Sequence, residues 1–350
     1  MRRISLSTCA LSCALALGCS SSDQPVAGAN AAYDMTVIGL KAEIGEVVAF
    51  NAKGAFVSVG GPHGLAITDS ATRVWTTASA TGRPIGFDDD GDLLYRDSSG
   101  RARIRHGADG PDVEVPQLTP ENFLFSPFAL APHGVVWGLT SKARPGEAGL
   151  PGFGAMKDGV LVAFHDWGTM PPGDLERAGI AANEAGQVLF VDADTSTPEG
   201  NGFQKELSFV FEADGTVTDL NGVYGNSFRV GGRFLNARGQ VAGSVLYGDD
   251  GLGGNFGFLY DPPTGYRLGE EFGDALFLND TGDVIYLQTK TPRHVLLRRA
   301  NGDKVDLTPY LRDSTHPNAE VSEYNVVGLN ASGEILIVDE LQNIALLAPK

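Results

Sequence analysis

Cysteine is almost missing from this chain. There are three, Cys9, Cys13 and Cys19, and all lie within the first 19 residues. Beyond them no disulfide and no thiolate metal site can form. Histidine is scarce as well. His63, His106, His133, His165, His294 and His316 show no H-x-H or H-E-x-x-H spacing, so the pattern offers no zinc site. There is no G-x-S-x-G nucleophile elbow and no glycine loop set to cradle phosphate before a helix. No apolar run is long enough to span a bilayer. Positive charge is in deficit, with 26 Lys and Arg against 43 Asp and Glu and a formal charge of −17. Such a surface repels nucleic acid and anionic headgroups, and favours neutral or cationic ligands or simply solubility.

Glycine, by contrast, is abundant and regularly placed. An apolar residue, Asn or Asp, two variable residues and Gly recur before a further apolar run. The copies begin at Asn51, Asp88, Asn183, Asn236, Asn279 and Asn330, with a degraded seventh at Ala131-Pro132-His133-Gly134. Their glycines fall at 54, 91, 134, 186, 239, 282 and 333, in steps of 37 to 53 residues. Asn or Asp at the start of a type I turn accepts a hydrogen bond from the backbone two residues on. Gly at the fourth position takes the left-handed conformation that closes a hairpin through a bulge. The flanking runs are short and rich in Val, Phe, Leu and Ile, as in Val47–Phe50 and Phe56–Val59, which predicts strands rather than helices.

A second hairpin lies between successive motifs, with turns such as Glu212-Ala213-Asp214-Gly215 and Ala300-Asn301-Gly302. Each unit therefore holds four strands, a–b and c–d, in the length of one β-propeller blade. Met35–Leu40 before the first motif matches strand b, and Asn343–Leu347 after the last matches strand a. The expected fold is all-β: a seven-bladed β-propeller of four-stranded blades. The N- and C-terminal strands pair in one blade, leaving no long free edge.

The stretch from Phe209-Val210-Phe211 through Thr218-Asp219-Leu220 to Leu235-Asn236-Ala237-Arg238-Gly239-Gln240-Val241-Ala242-Gly243 resembles the HAF-type extracellular repeat of bacterial proteins. Val305-Asp306-Leu307 and Asn330 to Glu334 echo it. The His-Ala-Phe triplet itself is replaced by Gly257-Phe258-Leu259-Tyr260 and Ser208-Phe209-Val210-Phe211. The resemblance implies an exported propeller-like protein and carries no catalytic residues.

Residues 1–18 read as a secretory signal: Arg2-Arg3, an apolar stretch, then Ala16-Leu17-Gly18 before Cys19. Cys19 is the expected lipidation site, with Ser20-Ser21-Ser22 opening a flexible tether over 19–33 and the propeller occupying 34–350. Ser20 directly after Cys19, with no Asp there, resembles signals sorted to a Gram-negative outer membrane. The expected location is therefore that of an outer-membrane lipoprotein facing the periplasm or the cell surface. Loss of the two positive charges of Arg2 and Arg3 moves the formal charge from −17 to −19.

Both short hairpins of a unit sit on one face, which forces the b–c and d–a connections onto the other. Long connections gather there, at 141–154, 167–177, 192–205, 247–255 and 312–323. Such loops on a rigid scaffold usually carry function. His165-Asp166-Trp167 precedes one of them. His beside Asp is a candidate general base, and Trp a candidate platform for a sugar or choline-like group. Strand neighbours point to opposite faces, so a structural His and a packed Trp is the competing reading. Asp192 and Asp194 with Glu199 and Asn201, or Asp249-Asp250, are candidate calcium ligands. Thr197 stands where an EF-hand needs Gly, and a solvated acidic loop competes. No other cofactor is implied. The expected function is a binding module for a protein or glycan partner on the long-loop face, in contact with the membrane only through its lipid. The alternative is a propeller enzyme of the lyase, lactonase or glycosidase kind, with its site at the channel mouth.

Overall fold

The structure is a computed structural model. It describes residues 32–51, 53–70, 72–79, 81–117, 124–142, 150–166, 176–194, 205–221, 228–247, 255–262, 264–271, 273–288, 290–312 and 320–350. Seven four-stranded antiparallel sheets make up nearly all of its regular secondary structure. Blade I is Glu46–Phe50, Ala55–Gly61, Gly64–Asp69 and Trp75–Ser79. Blade II runs from Arg83–Phe87 to Asp112–Glu114, and blade III from Leu124–Ala131 to Val160–Asp166. Blade IV runs from Glu176–Ala182 to Val217–Asp219, blade V from Phe228–Leu235 to Gly265–Glu271 and blade VI from Gly273–Leu278 to Lys304–Asp306.

Blade VII joins the two ends of the described chain. Val326–Leu329, Ile335–Val338 and Asn343–Pro349 are completed by Tyr33–Leu40 as the outermost strand. Met35 lies opposite Leu347, and Leu40 opposite Asn343. The ring is closed: the first strand of every blade contacts the first strands of both neighbours. First strands therefore surround the axis.

The repeating unit read along the sequence is two strands out of phase with the blade. In space the Asn/Asp-x-x-Gly hairpin joins strands one and two, and the second hairpin joins strands three and four. Strands a and b of the sequence unit thus close one blade, while c and d open the next. Phe209-Val210-Phe211 and Val217–Asp219 belong to blade IV, whereas Asn236 belongs to blade V.

Burial follows the seams between blades. The core of the described residues divides into seven clusters, each shared by two neighbouring blades. Val57, Leu65 and Ile67 of blade I meet Leu93 and Tyr95 of blade II. Leu189 and Val210 of blade IV meet Val230, Val241 and Phe258 of blade V. Val295 and Leu297 of blade VI meet Ile335 and Ile337 of blade VII. A single blade cannot bury both of its faces alone, so stability is a property of the ring.

Each first strand also carries a bulge three residues before its turn motif, at Val48, Ile85, Phe128, Ile180, Arg233, Leu276 and Val327. A bulge adds local twist, and here it recurs at the same place in all seven strands around the axis.

Candidate functional site

The motif turns gather at one end of the ring, and their asparagines do more than shape the turn. Asn236 Oδ1 accepts from the backbone N–H of Arg238 at 3.1 Å and of Gln240 at 2.9 Å, which fixes the turn internally. Its Nδ2 donates at 2.9 Å to the main-chain oxygen of Asn279, the first motif residue of the next blade. Asn51 donates in the same way to Asp88, Asn183 to Asn236 and Asn279 to Asn330, at 2.9–3.0 Å. Four seams are thus latched by one chemical device. Each latch contributes roughly 0.5–1.5 kcal/mol, and more is at stake if its buried partner is orphaned. These four asparagines and Asn330 are all buried.

Three seams depart from this rule. At VII–I, Asn330 Nδ2 turns to Glu334 Oε2 at 2.7 Å. At III–IV the degraded motif supplies Ala131, and His165 bridges instead. Its Nε2 lies 3.2 Å from the oxygen of Gly186, so that nitrogen carries the proton. The ring stacks on Trp137 at 5.5 Å and packs on Phe211 at 4.6 Å. Burial pushes the imidazole below its usual range, partly offset by the Gly186 carbonyl. At II–III the motif begins with Asp88. Its Oδ1 accepts from the N–H of Asp90 and Asp92 at 3.0 and 2.8 Å, while Oδ2 is buried without a partner among the described residues. Burial first, then the charges of Asp92 and Asp90, raise this carboxyl to about 6 against opposing backbone hydrogen bonds.

His165 therefore sits in the III–IV seam. The backbone of Asp166 pairs with Gly152, but its side chain and all of Trp167 lie outside the described residues. Asp192 and Asp194 fall on one face of a blade IV strand, since they are two residues apart. Their side chains, together with Glu199, Asn201, Asp249, Asp250 and Cys19, are outside the described residues. Among the described residues no group of three His, Cys, Asp or Glu is placed to hold a metal ion. No helix of the described residues is long and apolar enough to cross a membrane.

The opposite end of the ring is where strands two and three of a blade, and successive blades, are connected. Residues 143–149, 167–175, 195–204, 248–254 and 313–319 belong to those connections and lie outside the described residues. The described part of this end is clearest at blade VII. A 3-10 helix, Glu323–Asn325, leads into its first strand and is held by Asn325 Nδ2 on the oxygen of Val338 at 2.9 Å. Tyr324 projects from it 76% exposed. Leu341, 58% exposed, sits in the turn before the third strand, and Leu40, 44% exposed, ends the fourth. The backbone N–H of Lys41 donates to the oxygen of Gln342 at 2.8 Å, which brings the last two segments together. Glu43, Glu46, Glu320 and Glu323 are exposed around them. An aromatic and two leucines with acidic neighbours are thus exposed at this end.

Among the described residues, clefts open at the turn end in two of the seams. The larger, about 180 Å³, lies in the II–III seam between Ile104, Val115, Val136 and Met156, with His106 and Asp158 at its rim. The smaller, about 50 Å³, lies in the V–VI seam beside Leu259, Tyr286 and Arg298. The sequence predicts no cavity at the turn end. Both arise where neighbouring blades diverge, which no single unit encodes.

These features define the class: a closed seven-bladed β-propeller of four-stranded blades. Among solved structures, the chain is similar to the β-propeller domain of the Trilobed protease from Pyrococcus furiosus. The identity is 8%, 87% of this chain and 95% of that one are covered, and the TM-score is 0.50. That domain is described as having an open velcro topology, whereas here Tyr33–Leu40 pairs with Asn343–Pro349. The chain is also similar to the β-propeller domain of Cps50 (Swd1) from Myceliophteria thermophila, at 13% identity, 90% and 99% coverage and TM-score 0.49. A further likeness is to YCF48 from Cyanidioschyzon merolae, at 10% identity, 91% and 99% coverage and TM-score 0.48. No family model and no curated protein matches the chain. At such identities the likeness is one of fold, and fold does not carry function.

Proposed function

We infer that the protein is an exported, lipid-anchored propeller that binds a protein partner at its long-loop end. The carrying observation is the one-sidedness of the ring. Every motif turn lies at one end, and the first described strand also starts there. Tyr33 is opposite Pro349, its hydroxyl donates to the oxygen of Gly333 at 3.3 Å, and its backbone is clasped by the Tyr310 hydroxyl. A tether from Cys19 would join the propeller at the turn end, where Tyr33 begins the described strand, and so would leave the long-loop end free for a partner. The resemblance of the repeat to HAF-type extracellular units supports export, and the lipobox-like Leu17-Gly18-Cys19 supports the anchor. The exposed Tyr324, Leu341 and Leu40 favour a protein over a glycan, because leucines offer a sugar neither stacking nor hydrogen bonds.

Photo-crosslinking in cells tests this reading. A benzophenone amino acid at position 324 is expected to capture a discrete partner adduct, and one at Asn301, in a turn at the other end, is not. Equal labelling from both positions, or none from 324, overturns it.

A further inference from the structure

The II–III seam differs from its neighbours in one atom. In four seams the motif residue presents an Nδ2 that donates to the carbonyl of the first motif residue of the next blade. Asp88 occupies that position in blade II, and its Oδ2 takes the place of the Nδ2. Ala131 is the corresponding acceptor in blade III. An ionised carboxylate has no hydrogen to donate, so the bond made in the four asparagine seams has no counterpart here, and Asp88 Oδ2 is buried without a partner among the described residues. A protonated carboxyl has one hydrogen and restores the bond.

We propose that Asp88 is a proton-operated latch: protonated, its Oδ2–H donates to the Ala131 carbonyl and closes the II–III seam, and ionised, it releases that seam. The charged surroundings are compatible. Asp90 and Asp92 lie on the same turn. From the following hairpin, His106 Nδ1 meets Asp92 Oδ2 at 2.9 Å. From blade III, His133 Nδ1 meets Asp90 Oδ2 at 2.9 Å, and from blade I, Lys53 Nζ meets Asp90 Oδ1 at 3.3 Å. These basic side chains are thus paired to Asp90 or Asp92, and none reaches Asp88 Oδ2. The carboxyl titrates about where mildly acidic and neutral surroundings divide. Gly134 and His106 of this seam also line the larger cleft, so release of the latch loosens a wall of that cleft.

The linkage sign follows from the raised value. Below its unfolded value of 3.8 the carboxyl is protonated in both states. Between 3.8 and about 6 only the folded state holds the proton, so stability falls as pH rises through that window. Above it the loss is constant.

The test compares wild type with Asp88→Asn, which donates at every pH. The melting temperature of Asp88→Asn is expected to exceed that of wild type by a few degrees at pH 8. The two are expected to converge near pH 4.5. The same difference is expected in a His133→Asn background, which removes the neighbouring imidazole contact to Asp90. Carbon-13 carboxyl shifts supply a second measurement, with one Asp signal titrating near pH 6 and vanishing in Asp88→Asn. A pH-independent difference, a variant less stable than wild type at pH 8, dependence on His133, or an Asp88 signal that titrates near 4 each overturns the latch.

Discussion

The side-chain amide of Asn279 donates to the main-chain oxygen of Asn330 at 2.9 Å, across 51 residues of sequence and one blade boundary. The same residue, through Oδ1, closes its own turn on the N–H of Asp283 at 2.8 Å. One side chain therefore sets a local conformation and a distant neighbour at once. Turn geometry and ring geometry cannot be varied separately at these positions.

Asn236→Asp separates the two roles. The acceptor Oδ1 persists, so the turn is kept, while the donor to Asn279 is lost and a carboxylate faces Gln240 Oε1 and a carbonyl. The expected cost is about 2 kcal/mol at pH 8, read as a lower denaturant midpoint. Because the substitution recreates at the V–VI seam the arrangement of Asp88, the loss should shrink at pH 5. A uniform loss at both pH values would count against the donor role.

Gly239 and Gly215 test conformation against crowding. Both have positive φ, 75° and 87°. A Cβ on Gly215 meets nothing within 4 Å, whereas one on Gly239 comes within 2.8 Å of the Gln187 side chain of blade IV. Gly215→Ala should cost about 1 kcal/mol through backbone strain alone. Gly239→Ala should cost more, and Gln187→Ala should recover the excess. Equal thermal shifts for the two glycine variants would remove the inter-blade part of the argument.

His165 responds to acid in the opposite sense to Asp88. Its imidazole is held below the usual range, so as pH falls through about 6.5 the unfolded chain takes up a proton before the folded one, and stability is lost. His165→Phe keeps the stack on Trp137 and removes the ionisation. The variant should melt lower than wild type at pH 8, through loss of the bond to Gly186, and the gap should narrow at pH 5. A gap that widens on acidification would show that the imidazole is not held neutral.

Cys19→Ser should abolish fatty-acid labelling and release the protein from membranes. Unchanged fractionation would exclude the anchor. In the lipidated protein, a fluorophore on a cysteine placed at Asn301 should be quenched by brominated lipid more than one at Leu341. The reverse order would mean that the long-loop end faces the bilayer.

Deleting residues 344–350 removes most of the strand that holds Tyr33–Leu40 in blade VII. The whole ring should unfold at a lower denaturant concentration in a single transition. An unaltered melt would contradict closure.

Much of this architecture is legible in the sequence because turns are local. Asn236 to Gly239 announces a hairpin within four residues, and the strands beside it are named by their Val and Leu content. Terminal pairing follows from counting strands. What escapes is whatever one blade does to the next. Nothing near Asn236 says that its amide points at Asn279, and the phase of the blade is set by seams rather than by repeats. The bulges at Val48 and Arg233 share a position but no residue type. Asp166 beside it leaves His165 open in sequence to a general-base or a structural reading, and the seam that holds its ring, with Trp137, Phe211 and Gly186, is not written in either neighbour. The absence of Asn at position 131 is the available signal, since a missing latch asks for a substitute.

Tyr33–Leu40 pairs with Asn343–Pro349, so the strand nearest the start of the chain waits for the strand nearest its end. During synthesis, the earlier blades can form while this strand remains without its partner. Completion of the fold is thereby timed to the arrival of Asn343–Pro349. A chain that lacks Asn343–Pro349 would remain an open crescent with two raw faces.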